Sequence, residues 1–163
     1  MSLEKHHGGW VIVLSFIISF MLAIIPLPTY ATAWRPDWVA MVLIYWCLAV
    51  PQRVGIATGW FIGIIHDVLS DTLLGQHAIY FCLIAYISVK WHRQVRLFTV
   101  WQQALSVFGV IAVSQLINKW VCDIAGSYIL AEWSFIYPAI SSMLLWPWLF
   151  TLLRDLRRSR RVF

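Results

Sequence analysis

Six apolar segments follow one another along this chain, and they limit the folds that it can adopt. Most of the prolines and most of the charged residues lie between these segments or at their ends. A helix of roughly 20 apolar residues spans the hydrocarbon core of a bilayer. We therefore predict an all-α, polytopic membrane bundle of about six transmembrane helices, over residues 10–25, 38–50, 54–69, 73–89, 101–120 and 138–153.

The composition requires a lipid environment for this much apolar surface. Of the 163 residues, 61% are hydrophobic and only 12% are charged. A soluble domain carries about 25% charged residues, far more than this chain has. We expect a single transmembrane domain over residues 1–163, ending in a basic cytoplasmic tail over residues 154–163.

Lysine and arginine are distributed unevenly between the two sides of the predicted membrane. With both termini inside, ten of the twelve basic residues lie on the inner side, and only Arg35 and Lys119 lie on the outer side. Inner loops carry such an excess of Lys and Arg in membrane proteins. The bias therefore predicts that both termini face the cytoplasm.

The net charge of +5 does not indicate nucleic-acid binding, because the basic residues concentrate at the C-terminus. A basic tail beside the last apolar segment is attracted to anionic lipid. We expect contacts to the membrane surface, or to an acidic cytoplasmic partner, from Arg154, Arg157, Arg158, Arg160 and Arg161.

The second segment, residues 38–50, is short for a span. It could extend upstream, lie in a thinned bilayer, or form a re-entrant hairpin with the third segment. Trp46 and Trp60 lie inside segments and are expected to fill space between helices. Residues 127–135 are expected to lie along the membrane surface.

Glycines recur every four residues in the third segment, at Gly55, Gly59 and Gly63, and Asp67 continues the series. Positions four apart wind slowly around a helix, so these glycines form one bare groove. Such small-xxx-small patterns let another helix approach closely in lipid. We predict helix packing or partner binding at these four residues and at Gly75, either within this chain or with another protein.

Asp67 is a functional candidate, because a carboxylate near the end of a membrane helix is costly unless it is paired or hydrated. It could instead cap the following turn or face water. A catalytic pair would need two carboxylates that face each other across helices. Asp67, Asp71 and Asp123 show no spacing that predicts such a pair.

Other catalytic signatures are also missing from the sequence. No nucleophile–base motif, phosphate-binding loop or zinc-ligand spacing occurs, and the three cysteines form no C-x-x-C pair. His66 is expected at the surface or in packing. The sequence therefore predicts a protein that is not an enzyme and that holds neither a cofactor nor a metal.

The stretch from Arg35 to Ile79 carries a combination of motifs that resembles one known family. Arg35 and Pro36 precede the second segment and Trp38 begins it. Trp46 lies within it, Pro51 follows it, and the glycine series with Asp67 comes next. Together with "WQQAL" and "LLWPWLF", these motifs resemble the rod shape-determining protein MreD family. Asp71 departs from that pattern, so no role is assigned to it.

The resemblance implies a polytopic protein of the bacterial inner membrane that acts as a scaffold of the cell-elongation machinery. It implies assembly with MreC, with the MreB filament, and with the glycosyltransferase and transpeptidase that build lateral peptidoglycan. It also implies a fold similar to the substrate-capture subunits of energy-coupling-factor transporters. These expectations rest on the resemblance and not on composition or spacing.

Size and helix count leave a second function open, a small-molecule capture subunit of a membrane transporter. Such a subunit needs an outward-facing pocket with converging polar groups. Asp67, Gln115 and Asn118 could supply some of them.

Overall fold

The protein is all-helical over the residues that its computed structural model describes, which are 9–72, 74–124, 126 and 136–159. These residues contain seven helices and no strand, in agreement with the predicted class. The helices are α1 (Gly9–Ile24), α2 (Thr29–Thr32), α3 (Trp38–Ala49), α4 (Ile56–Ser70), α5 (Gln76–Val95), α6 (Val100–Ile124) and α7 (Ile136–Ser159). Residues 127–135, predicted to lie along the membrane surface, fall outside the described part.

The six longer helices correspond to the six apolar segments, and successive ones run in opposite directions. At one end of the bundle, the C-terminal turns of α3, α5 and α7 and the first turn of α6 surround a cavity with several arginines. We call this the basic end. At the opposite end, the C-terminal parts of α1, α4 and α6 and the N-terminal parts of α3, α5 and α7 surround a second, polar cavity.

The connection between α3 and α4 also lies at the basic end. Arg53 and Val54, in this connection, line a third cavity with Gly9 and Ile12 of the first turn of α1. The chain therefore passes from the polar cavity to the basic end along α3 and returns along α4. A hairpin that turned back halfway would not bring Arg53 beside the start of α1.

Helix α3 lies at the centre of the bundle, where it contacts α1, α5, α6 and α7. All of its residues from Val39 to Leu48 are buried. Trp46 is completely buried, and its Nε1 donates to Ser15 Oγ of α1 at 2.8 Å. The prediction that Trp46 fills space between helices is therefore confirmed.

The same prediction is wrong for Trp60, which is 47% exposed. Among the described helices, α4 packs mainly against one neighbour, α5. It turns its glycines toward that neighbour, so Trp60, one position after Gly59, points outward. One-sided packing is the physical reason for the difference between the two tryptophans.

Both ends of the central helix are satisfied by protein groups, which a buried helix requires because its terminal N–H and C=O groups cannot reach water. At its start, Asp37 Oδ1 accepts from the Ala40 N–H at 3.0 Å. At its end, Arg96 donates from Nε to Leu48 O and from Nη2 to Ala49 O, each at 2.6 Å. A helix of 12 residues can therefore be stable inside the bundle.

Length and composition identify α6 and α7, among the described helices, as long and apolar enough to cross a membrane. Helices α1, α3 and α4 are apolar but shorter. The 12 residues of α3 rise about 18 Å, less than the roughly 30 Å of a hydrocarbon core. Six crossings therefore remain a prediction.

Candidate functional site

The glycine series marks a close crossing between α4 and α5. A Cβ atom at Gly59 would lie 2.7 Å from Phe81 O and 3.1 Å from Ala85 Cβ, and one at Gly63 would lie 2.5 Å from Ala78 N. These distances leave no room for a side chain on α4. The two helix backbones touch here, and the short side chains of Ala78 and Ala85 complete the contact.

Gly55 and Gly75, grouped with these positions from the sequence, lie outside the crossing. Gly55 precedes α4 in an extended conformation, and the nearest atom to a Cβ there is Pro51 O at 3.9 Å. Gly75 precedes α5 with φ +101°, a conformation that favours glycine, and a Cβ there would meet nothing within 4 Å. Gly75 is a turn residue, and it does not pack a helix.

Asp67 is buried at the end of this crossing and accepts four hydrogen bonds. Oδ2 accepts from the Gly75 N–H at 2.8 Å. Oδ1 accepts from the His77 N–H at 3.0 Å, the Thr72 hydroxyl at 3.0 Å and His77 Nδ1 at 2.7 Å. The carboxylate of α4 thus caps the first turn of α5, where backbone N–H groups lack partners and an anion is favoured.

His77 connects this capped turn to the polar cavity. Since a carboxylate only accepts hydrogen bonds, its contact with His77 requires a proton on Nδ1 of the imidazole. The ring of His66 lies beside it, with ring centroids 4.4 Å apart, and His66 Nδ1 is 3.2 Å from Ser70 Oγ. Both histidines line the cavity, so His66 is packed against a polar chamber.

Three helices meet at Asp37, which also lines the polar cavity. Tyr80 of α5 donates its hydroxyl to Asp37 Oδ2 at 2.6 Å, and the Asp37 N–H donates to Ser142 Oγ of α7 at 3.0 Å. With the contact to Ala40 already described, the side chain and backbone of one residue join α3, α5 and α7. These contacts hold the cavity wall.

The polar cavity measures about 310 Å³ and is lined by groups of mixed charge. Arg35 Nη2 donates to Ile25 O at 2.7 Å and to Leu22 O at 3.2 Å, which caps the end of α1. Arg35 Nε and Asn118 Oδ1 are buried without a partner among the described residues. The remaining polar side chains of the lining are Thr32, Asp37, His66, Ser70, His77, Tyr80 and Gln115.

The five motif residues of the resemblance lie around the central helix. Arg35, Pro36 and Trp38 line the polar cavity at its start. Trp46 joins it to α1, and Pro51 lies in the turn after its end. The motif therefore corresponds to how α3 begins, packs and ends.

Three of the five C-terminal arginines line the cavity at the basic end. Arg154, Arg157 and Arg158 share this cavity with Arg96, and its volume is about 880 Å³. Arg160 and Arg161 lie outside the described residues. Arg154 and Arg158 are exposed and Arg157 is half-buried, so the contact of the tail with a membrane surface or an acidic partner stays a prediction.

The three aspartates considered as a catalytic set occupy different environments. Asp67 is buried, while Asp71 and Asp123 are exposed. Asp71 ends α4 in the left-handed conformation, with φ 52°. Within the described residues, no group of three His, Cys, Asp or Glu side chains is placed to hold a metal ion. The four donors around Asp67 make it suited to joining two helix ends.

Several residues of these sites carry no signal in the sequence. His77, Tyr80 and Ser142 form their contacts across separations of 10, 43 and 105 residues. The sequence identifies Arg96 only as a positive charge on the predicted inner side. Its hydrogen bonds to the carbonyl groups of Leu48 and Ala49 come from the structure. For the helix face that packs against the glycines, the sequence did contain a signal. Ala78 and Ala85 are small residues seven positions apart, so they lie on one face of a helix.

Comparison with known proteins identifies the family. The family model described as rod shape-determining protein MreD matches residues 4–156. The rod shape-determining protein MreD of Haemophilus influenzae is 33% identical over 151 residues, which cover 92% of this chain and 93% of that protein. No solved structure matches significantly. The chain, whose described residues form only helices and include two that are long and apolar, is a membrane protein that belongs to the MreD family of rod shape-determining proteins.

Proposed function

We propose that this chain is a non-enzymatic membrane scaffold of the cell-elongation machinery, which helps to maintain rod shape and to direct lateral peptidoglycan synthesis. In this role it assembles with MreC in the membrane and indirectly with the MreB filament. The elongation glycosyltransferase and transpeptidase are further partners. The main support for the proposal is the family match over residues 4–156, which covers all of the described helices except the last residues of α7.

The state of Asp67 supports a scaffold rather than an enzyme. A general base or nucleophile needs a lone pair that is directed at a substrate. All four donors around this carboxylate belong to the chain itself, at Thr72, Gly75 and His77. The Thr72 hydroxyl is one of these donors, so the carboxylate is engaged within the chain, where it holds the turn between α4 and α5.

The proposed topology has six crossings of the bacterial inner membrane with both termini in the cytoplasm. The alternating direction of the six longer helices supports it, and so does the distribution of charge. Arg53, Lys90, Arg93 and Arg96 belong to the basic end together with the arginines of α7, whereas Arg35 and Lys119 belong to the other end. A cytoplasmic basic end agrees with the usual excess of Lys and Arg on that side.

Complementation tests the proposal directly. The chain is expressed with an affinity tag in rod-shaped cells that lack their own MreD protein, and cell width and retention of MreC are measured. We expect restored rods and co-purification of MreC. Round cells without retained MreC, at a normal level of membrane-inserted protein, would contradict the scaffold role.

The polar cavity supports a second candidate function, the capture of a small molecule for transport. Its orphaned Arg35 Nε and Asn118 Oδ1 could bind a ligand with both an acceptor and a donor. A thermal-shift screen of the purified protein against vitamins tests this function. A hit that stabilises the wild type, but not an Asn118→Leu variant, would favour capture, whereas a screen without hits would favour the scaffold.

A further inference from the structure

The cavity at the basic end is lined by four arginines from two parts of the chain. Arg96 follows α5, and Arg154, Arg157 and Arg158 come from the last turns of α7. Among the described residues, none of the lining side chains is acidic. The nearby carboxylate of Asp155 is exposed and lies 3.9 Å from Arg154 Nε, so it neutralises little of this charge.

Arg96 is held in place before any ligand binds. Its Nε and Nη2 atoms donate to Leu48 O and Ala49 O, which leaves Nη1 for a further partner. An arginine fixed in this way loses little conformational entropy when it binds an anion, and its planar group suits phosphate.

Gln103 supplies an independent sign of a missing ligand. Its side chain is 6% exposed and lines the same cavity. Nε2 donates to Val95 O and Phe98 O, each at 3.2 Å. Since both partners are acceptors, these two bonds fix the orientation of the side-chain amide and therefore the position of Oε1. Oε1 is buried without a partner among the described residues. A buried acceptor without a donor is costly, so a ligand hydroxyl would satisfy it.

The rest of the lining is largely apolar. Leu48, Ala49, Val50 and Phe150 form it together with the ring of Tyr45. A ligand that fills this space therefore needs an anionic head, a hydroxyl and an apolar body. Its volume of about 880 Å³ is large enough for a lipid headgroup with the first carbons of its chains.

We propose that this cavity binds an anionic phospholipid, with its phosphate among Arg96, Arg154, Arg157 and Arg158 and a headgroup hydroxyl donating to Gln103 Oε1. Basic pockets between membrane helices on the cytoplasmic side bind anionic headgroups in other proteins. The apolar wall favours a lipid, because a free phosphate has no apolar part, and an acidic peptide segment has fewer apolar carbons beside its charge than a phospholipid. The site goes beyond the scaffold role, because it assigns a ligand to the bundle.

Lipid binding to the purified full chain tests the proposal. Native mass spectrometry of detergent-solubilised protein measures the apparent affinity for phosphatidylglycerol. The Arg157→Gln/Arg158→Gln variant removes two charges from the cavity. The control, Arg53→Gln/Arg93→Gln, removes two exposed charges at the same end that do not line it.

We expect the affinity to fall about thirtyfold in the cavity variant, since each basic residue contributes on the order of 1 kcal/mol to such binding. The control should change much less. Equal losses in the two variants would overturn the proposal, because they would indicate diffuse attraction. A melting temperature measured in zwitterionic detergent verifies that both variants remain folded.

Three competitors identify the source of the anion. Phosphatidylethanolamine, inorganic phosphate and polyglutamate should each fail to displace phosphatidylglycerol. Displacement by any of them would overturn the assignment to an anionic phospholipid. Phosphatidylethanolamine would indicate a contact with any lipid, inorganic phosphate a free phosphate, and polyglutamate an acidic protein segment. Phosphatidylmethanol, which lacks a headgroup hydroxyl, should bind about three- to tenfold more weakly. Equal affinity would overturn the role of Gln103.

Discussion

Nδ1 of His77 lies 2.7 Å from Oδ1 of Asp67, and this contact joins the last turn of α4 to the first turn of α5. A buried carboxylate is tolerated only when its desolvation is offset by hydrogen bonds. Here the donors come from a turn that the carboxylate itself organises, at Thr72 and Gly75 as well as His77. The close crossing of glycines lies directly behind this contact, so the two features depend on each other.

Asp67→Asn should be tolerated better than Asp67→Leu. Asparagine can direct its side-chain oxygen at the three donors from Thr72 and His77 that now bind Asp67 Oδ1. Its NH₂ group would then face the Gly75 N–H, which now binds Oδ2. Leucine leaves all of these donors unpaired, and each unpaired buried donor costs about 1–3 kcal/mol. We expect a larger fall in melting temperature and a greater loss of rod shape for leucine.

Cell width and MreC retention are compared for both variants at matched protein levels. Equal and complete loss would indicate that the ionisable group itself is required, and the enzyme hypothesis would then return. Full activity in both would show that the capping contacts are dispensable.

Even alanine should be unfavourable at Gly63. Its Cβ would lie 2.5 Å from Ala78 N and 2.6 Å from His77 O, which are backbone atoms that cannot move independently. Overpacking costs roughly 1–3 kcal/mol in soluble cores, and leucine should cost more than alanine. We expect Gly63→Ala to lower the melting temperature of the purified protein and Gly63→Leu to abolish rod shape while the protein still inserts.

Gly109 of α6 provides the matched control, because a Cβ there meets nothing within 4 Å. Gly109→Ala should be neutral or slightly stabilising, since alanine favours helix by about 1 kcal/mol over glycine. If Gly63→Leu and Gly109→Leu behave alike, the crossing is not a required contact.

Arg96→Met should destabilise the protein through the end of α3. It removes two donors at 2.6 Å from the carbonyls of Leu48 and Ala49. Hydrogen bonds to charged groups contribute about 1.5–3 kcal/mol each, so the melting temperature should fall clearly. The control is Arg93→Met, which removes a nearby exposed charge. An equal shift for both would mean that net charge, and not the cap, determines the stability.

Reporter fusions test the proposed topology. A periplasm-active reporter fused after Gly75 should be active, because the turn between α4 and α5 lies opposite the basic end. The same reporter fused after Phe163 should be silent. Activity after Phe163, or silence after Gly75, would contradict six crossings with cytoplasmic termini.

The sequence by itself determined the helical class, the apolar segments that became the six longer helices, and the family. These properties depend on local composition and on motifs that lie close together, such as the run from Arg35 to Pro51. It also marked Gly59, Gly63 and Asp67 as one helix face, because helical periodicity is a local property.

Only the tertiary structure decided what covers that face. Periodicity does not identify the neighbour, and the partners of Asp67 became known once α5 was placed against α4. The same holds for Trp46 and Trp60, which have similar local settings but opposite exposure, because α3 is surrounded by helices and α4 packs mainly on one. The cap of α3 by Arg96 joins residues 48 positions apart, and a contact of that separation arises from packing of the chain and leaves no local pattern.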